Sequence, residues 1–499
     1  MTASPSASPS NAPDPTTEQP GLTPEARRAV IVVLVGAVLA FLDATIVNVA
    51  LDSLSSALHS SLRTIQWVVT AYLLAQAAVL PMTGWAARKV GARRLYVASL
   101  LLFTLASVAC GLVDSAWALI AARTVQGIGG GMMIPAGQII LVTAAGPQGL
   151  ARVMGAVGIP MVLTPVFGPT VGGLLLDHAG WQWIFLINLP LGVAGLALAL
   201  RLLPADRRGE DPGPLDTAGL VLVSLGMVGI TFGLSQAGGD HGLGSVEVLG
   251  PFLAGLVLTA GFVLRALRAR HPLLDVRLYR DRLFGSASFV TFVFGAATYG
   301  GMILMPLYYQ VVRHEDASTT GLLLAPQGIG AAVAMGLSSR LFEKIGSVTC
   351  VIGAAVSVVA SVPFVLIGAD TSYWLLGLAM VVRGLGIGLS VMPAMTAAFQ
   401  ALDPGQINDA TPQLNVAQRV GGSMGTAVFV VVLQQHLAGG TTPADQATAF
   451  GTTFWWVFGT AVLAVLPTLL MAAVERRRRQ DTGSAGNSAR TAVDGVGTA

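Results

Sequence analysis

Long apolar runs recur along the whole chain, separated by short polar or charged stretches. At 1.5 Å per residue, each run is long enough to cross ~30 Å of hydrocarbon as a helix. The runs centre near residues 40, 75, 104, 128, 164, 194, 226, 257, 297, 329, 358, 386, 422 and 461, which predicts fourteen membrane-spanning helices and an all-α fold. An even number returns both ends to one side. The tails and loops of that side then hold 23 of the 28 Lys and Arg, while the opposite loops hold only Arg63 and Arg313. Basic residues collect on the cytoplasmic side of membrane proteins, so both termini are predicted to be cytoplasmic.

Composition agrees with a bilayer. The 499 residues are 54% hydrophobic and 11% charged, too apolar for a soluble globular protein of this length. The small basic excess reports orientation and not nucleic-acid binding. Cys110 and Cys350 lie in different runs that start on opposite sides, so they read as small hydrophobes and not as a disulfide. Residues 1–28, rich in Ser, Pro and Thr, read as a disordered tail, and the run after them is too long for a signal-peptide core.

The chain also repeats itself weakly. Gln126-Gly-Ile-Gly-Gly-Gly131 returns 257 residues later as Arg383-Gly-Leu-Gly-Ile-Gly388, and Arg88-Lys-Val-Gly91 returns 255 residues later as Glu343-Lys-Ile-Gly346. Such an offset equals eight helices, so the copies share an orientation. Two parallel six-helix halves follow, at 29–203 and 284–475, with two linker helices in 204–283 and a cytoplasmic tail at 476–499.

Asp43 is the one acid deep inside any run. A carboxylate in hydrocarbon is expensive and marks an ion or proton path. Asp43 in the first run and Arg123 in the fourth both fall roughly 10 Å below the outer surface, so they can meet. Burial favours the neutral acid and a nearby cation favours the carboxylate; a group balanced between the two can load and release a proton. A static salt bridge joining two helices is the plainer alternative. Helical phase leaves open whether the cavity faces Asp43 with Gly36, Ala40, Val47 and Ala50, or Thr45, Asn48 and Asp52.

Several segments together resemble the signature motifs of the 14-helix drug:proton antiporters of the major facilitator superfamily. They are Leu42-Asp43-Ala-Thr-Ile-Val-Asn-Val-Ala-Leu51, Gly84-Trp-Ala-Ala-Arg-Lys-Val-Gly-Ala-Arg-Arg94, Arg123-Thr-Val-Gln-Gly-Ile-Gly129, Gly158 through Gly168-Pro-Thr-Val-Gly-Gly173, and Trp181-Gln-Trp-Ile-Phe-Leu-Ile-Asn-Leu-Pro190. The resemblance spans roughly residues 25–475. It implies that Asp43 carries the proton and Arg123 tunes it, within a fourth-span motif of Arg123, Gln126, Gly127 and Gly129. It also implies that Gly158, Gly168, Pro169, Gly172 and Gly173 mark an antiporter, an exporter in preference to an importer. On their own, these small residues with Pro160 and Pro165 suit either a hinge or tight static packing.

In the loop motif Gly84, Arg88, Gly91, Arg93 and Arg94, the family latches the two halves through an acid, but Arg88 stands at that position here. The second copy, Glu343, Lys344 and Gly346, keeps the acid. A substrate cavity is expected at Asn48, Gln126, Tyr299, Met302, Asn415, Gln418 and Arg419, with Met305, Tyr308 and Tyr309 nearby; methionine and aromatic walls adapt to varied cargo, although such residues also serve as plain core. The later spans hold no second buried acid like that of family members that expel dications. A monocationic, neutral or zwitterionic cargo is therefore expected.

No phosphate loop, metal motif or paired cysteines occur, so no enzyme chemistry, metal or cofactor is expected and the proton gradient supplies the drive. The sequence thus predicts a monomeric exporter of amphipathic drugs, antibiotics or secondary metabolites in the cytoplasmic membrane, with protons and lipid as its other partners. A proton-coupled importer of the same fold, or a membrane receptor, is the alternative.

Overall fold

The computed structural model describes residues 22–206, 213–236, 244–437 and 442–496. Thirteen helices among them are long and apolar enough to cross a membrane. We label the elements α1 (Pro24–Ala57), α2 (Leu62–Val90), α3 (Ala92–Leu112), α4 (Ala116–Gly146), α5 (147–178), α6 (Gln182–Leu202), α7 (Thr217–Gln236), α8 (Val246–Arg268), α9 (Arg282–Val312), α10 (Thr319–Ile345), α11 (Val348–Val365), α12 (Tyr373–Gln400), α13 (Pro404–Leu437) and α14 (Pro443–Arg478). The difference from the expected fourteen lies in α5. It is helical to His178, but its described side chains supply only the short apolar stretch Gly149–Gly158.

Helices dominate because hydrocarbon offers backbone groups no outside partner, so each span must satisfy its own N–H and C=O groups. The ends are set by local chemistry. Thr23 caps α1, accepting from the Ala26 N–H at 3.2 Å, and Pro24 opens it. Gly91 joins α2 to α3 at φ +96°, a conformation that side-chain-bearing residues avoid. Asp281 caps α9 through the Leu283 and Phe284 N–H groups and pairs with Arg478. Partial burial alone would raise that carboxyl's pKa, but Arg478 and the two N–H groups hold it below the usual carboxylate value.

Two groups of helices pack separately: α1 to α6 on one side, α9 to α14 on the other. The α7–α8 pair leans on α2 and α13, its own contact made backbone to backbone through Gly226, Gly229 and Gly255. The two groups close on each other near the Gly84–Arg94 loop, at what we call the basic face. There Glu25, Arg88, Arg93, Asp206 and Asn408 line a cavity of about 500 Å³.

Two expectations about boundaries change. Helix α1 begins at Pro24, inside the expected tail, and the last helix continues to Val496. The fourth and fifth spans part at Gly146, with φ +62° and ψ −178°, between their expected centres. The side chains of Pro160, Pro165 and Pro169 lie outside the described residues.

Candidate functional site

Asp43 and Arg123 do meet. Arg123 Nη1 donates to Asp43 Oδ2 at 2.6 Å, and both side chains are essentially shielded from solvent. The other carboxylate oxygen accepts from Gln126 Nε2 at 2.8 Å and Asn188 Nδ2 at 2.9 Å. Arg123 also donates to Gln126 Oε1 at 2.8 Å and through Nε to the Val68 carbonyl at 3.2 Å, and its guanidinium lies 3.9 Å from the centre of the Tyr72 ring. Cys110 Sγ faces Gln126 Oε1 at 3.6 Å. Behind Asn188, Ser107 accepts a further bond at 2.9 Å and donates to the Phe185 carbonyl. Charges this deep are tolerable only when their lone pairs and protons are matched, and here the partners come from α1, α2, α4 and α6, with α3 behind them.

The phase of α1 is thereby settled for this state. Asp43 points into the N-terminal bundle, whereas Thr45 abuts α5: a Cβ on Gly168 would come within 2.1 Å of Thr45 Oγ1. Asn48 departs from its expected place. It is exposed, and its amide bonds back to the Ala44 carbonyl at 3.3 Å, within its own helix. Gln126, expected in the substrate cavity, lies wholly buried within the Asp43 cluster instead. Gly127 and Gly129 let α4 touch the backbones of α2 and α3 at Tyr72 and Ser99.

Within α5, Gly158 faces Met335 and Met392 of the other bundle, and Gly168 and Gly172 face Thr45 and Ile46 of α1. Gly173 meets nothing within 4 Å. The motif thus links the helix bearing the buried acid to the C-terminal bundle.

The basic face carries a latch of altered polarity. Arg88 binds Asp409 at the start of α13 at 2.6 Å, and Arg152 binds Glu343 of α10 at 3.0 Å, so the N-terminal bundle sends two arginines to acids of the C-terminal bundle. Gly84 sits against the Asn408 carbonyl, and Asn415 Nδ2 donates to Gln138 Oε1 at 2.6 Å. Asp206 accepts from the Arg93 and Arg94 N–H groups at 2.8 and 3.0 Å, capping α3 beside Gly91. Gly346, at φ +60°, ends α10, and Lys344 is exposed.

In the C-terminal bundle, Tyr299, Met302 and Arg419 are half-buried, and Asn415 and Gln418 are buried. Met305, Tyr308 and Tyr309 are buried. They form an apolar cluster with Phe364, Phe450 and Phe454.

Two helical bundles, closed at one face around charged groups buried at membrane depth, define a multi-pass carrier of small molecules. The chain belongs to the Major Facilitator Superfamily, whose pattern matches residues 33–426. It is 38% identical over 406 residues to a multidrug resistance protein B homolog of Mycobacterium tuberculosis, covering 81% of this chain and 75% of that protein. It is 32% identical over 414 residues to a methylenomycin A resistance protein of Bacillus subtilis, covering 82% and 87%. The crystal structure of the human organic anion transporter MFSD10 shares its fold, with a TM-score of 0.61 over 90% of this chain and all of that one at 18% identity.

Asn188, Ser107 and Tyr72 were absent from the expected site. For Asn188 a signal was available: it is the one amide in the apolar stretch that ends the Trp181–Pro190 motif.

Proposed function

We propose that this carrier exports amphipathic drugs, antibiotics or secondary metabolites from the cell in exchange for protons, by alternating access. The observation that carries the proton half is the Asp43 cluster, a buried acid whose two oxygens accept from Arg123, Gln126 and Asn188. The cargo half rests on relatives named for drug and antibiotic resistance. Protonation of Asp43 would release its hold on Arg123, Gln126 and Asn188. That frees α1 to shift against α5, whose glycines touch it, and α5 in turn touches the other bundle at Met335. The bundles then exchange the closed face for the open one.

The charge asymmetry of the loops supports a cytoplasmic membrane location with the basic face inside. The proton gradient serves as the drive in place of a bound cofactor, its electrical part contributing ~2.3 kcal/mol per charge per 100 mV. A monomer is sufficient, since both bundles come from one chain.

The test is a drug-resistance panel in a pump-deleted host, together with everted vesicles under an imposed proton gradient. Asp43→Asn is expected to lose resistance and substrate-driven proton movement while the protein still reaches the membrane. Unchanged resistance would remove Asp43 from the mechanism, and proton flux of the opposite sense would show an importer.

A further inference from the structure

The cavity at the basic face is walled by both bundles. Helices α1 to α4 and the segment after α6 form most of it, and Gly405 and Asn408 of α13 complete it. Its volume of about 500 Å³ suits a drug-sized molecule. Ala29, Ile139, Ile140 and Leu203 give it an apolar side.

The polar groups on this wall divide into those already matched and those that are not. Both oxygens of Asp206 accept from the Arg93 and Arg94 N–H groups, and Arg88 Nη1 is held by Asp409. Glu25, in the first turn of α1, is exposed and its carboxylate has no ion pair or hydrogen bond among the described residues. Arg93 donates through Nη2 to the Leu200 carbonyl at 2.8 Å, but its Nε is buried without a partner. Asn408 is half-buried, and its side-chain amide makes no hydrogen bond among the described residues. A single cavity thus presents an unmatched carboxylate, an unmatched guanidinium nitrogen and a free amide beside an apolar side.

A simple cation placed there would leave Arg93 unanswered, and a simple anion would leave Glu25 so; charge-assisted bonds to both need an occupant with a group of each sign. We infer that the cavity is a docking site for an amphipathic zwitterion, its cationic group at Glu25, its carboxylate at Arg93 and its apolar body between them. The inference rests on the export reading, which turns this face to the cytoplasm, and assigns the place where cargo first meets the closed carrier. Among the cargo types expected from the sequence, it selects the zwitterion. Arg88 shares the wall, so the carboxylate of the cargo competes with Asp409 for it, and an occupied cavity favours parting of the bundles.

The probes are rhodamine B, a zwitterion, and its ethyl ester, a cation of the same skeleton. Their binding to the purified full-length protein in non-ionic detergent is followed by fluorescence anisotropy. Wild type is expected to hold the zwitterion about tenfold more tightly than the ester. Arg93→Gln should erase that preference and Arg93→Lys retain much of it, which a merely structural arginine has no reason to do. Glu25→Gln should weaken both dyes, since both carry the cation. Thr143→Trp, which fills the cavity from an exposed wall position, should weaken rhodamine B about tenfold or more; if that variant does not fold, the Glu25 and Arg93 variants decide. Equal binding of the two dyes, no binding of either, a preference that survives Arg93→Gln, indifference to Glu25→Gln or unchanged affinity in a folded Thr143→Trp overturns the inference. Displacement of rhodamine B by dihexanoylphosphatidylethanolamine would give the cavity to a lipid headgroup and overturn it as well. The assay needs no gradient and no transport, so its failure is separate from failure of export, which the Asp43→Asn resistance panel reads.

Discussion

At the scale of single residues, the Asp43–Arg123 pair behaves as one unit, because removing one partner strands the other charge in a low-dielectric interior. Breaking such a pair costs about 3–5 kcal/mol, whereas replacing both partners with neutral groups is far milder. Arg123→Leu is therefore expected to lower the melting temperature in detergent sharply, and the double variant Asp43→Asn with Arg123→Leu to recover most of the loss without recovering proton coupling. A double variant as unstable as the single one would mean that the pair is not the source of the loss. Both partners were legible in the sequence because a charge inside an apolar run is rare. Asn188, Ser107 and Tyr72 were not, since amides, hydroxyls and phenols occur in spans for many reasons. Only folding brings Asn188 beside an acid 145 residues earlier.

At the scale of elements, periodicity and charge located the helices to within a few residues, but the joints between them depended on geometry. The Gly146 bend follows from a backbone conformation that one glycine among 60 does not announce. The latch was half legible. Arg88 looked like a departure from the family's acid, and the compensating Asp409 lies 321 residues away, visible only once α2 and α13 are side by side. Since the polarity is exchanged, Arg88→Asp alone should repel Asp409 and weaken closure of the basic face, and Asp409→Arg alone should repel Arg88. Combining the two should restore closure, read as drug resistance and as protection of a cysteine introduced at Asn408 from a thiol reagent. Failure of the double variant to recover over either single one would reduce the pair to a surface contact of little weight.

At the scale of the whole molecule, the contacts at Arg88, Arg152, Gly84, Asn415 and Gly158 hold one face shut, and transport requires that they part. Cysteines in place of Arg88 and Asp409, joined by a short bis-thiol cross-linker, should stop efflux, and a cleavable linker should restore it on reduction. The two native thiols are buried, which leaves the introduced pair as the reactive one. Full efflux in the cross-linked protein would rule out parting at this face. The seal around Asp43 bears on thrift as well. An acid walled in by Arg123, Gln126 and Asn188, with the rings of Tyr72 and Phe185 beside its arginine, is shielded from solvent in this state. An idle, empty carrier resting in this shape would not short-circuit the cell's energised membrane.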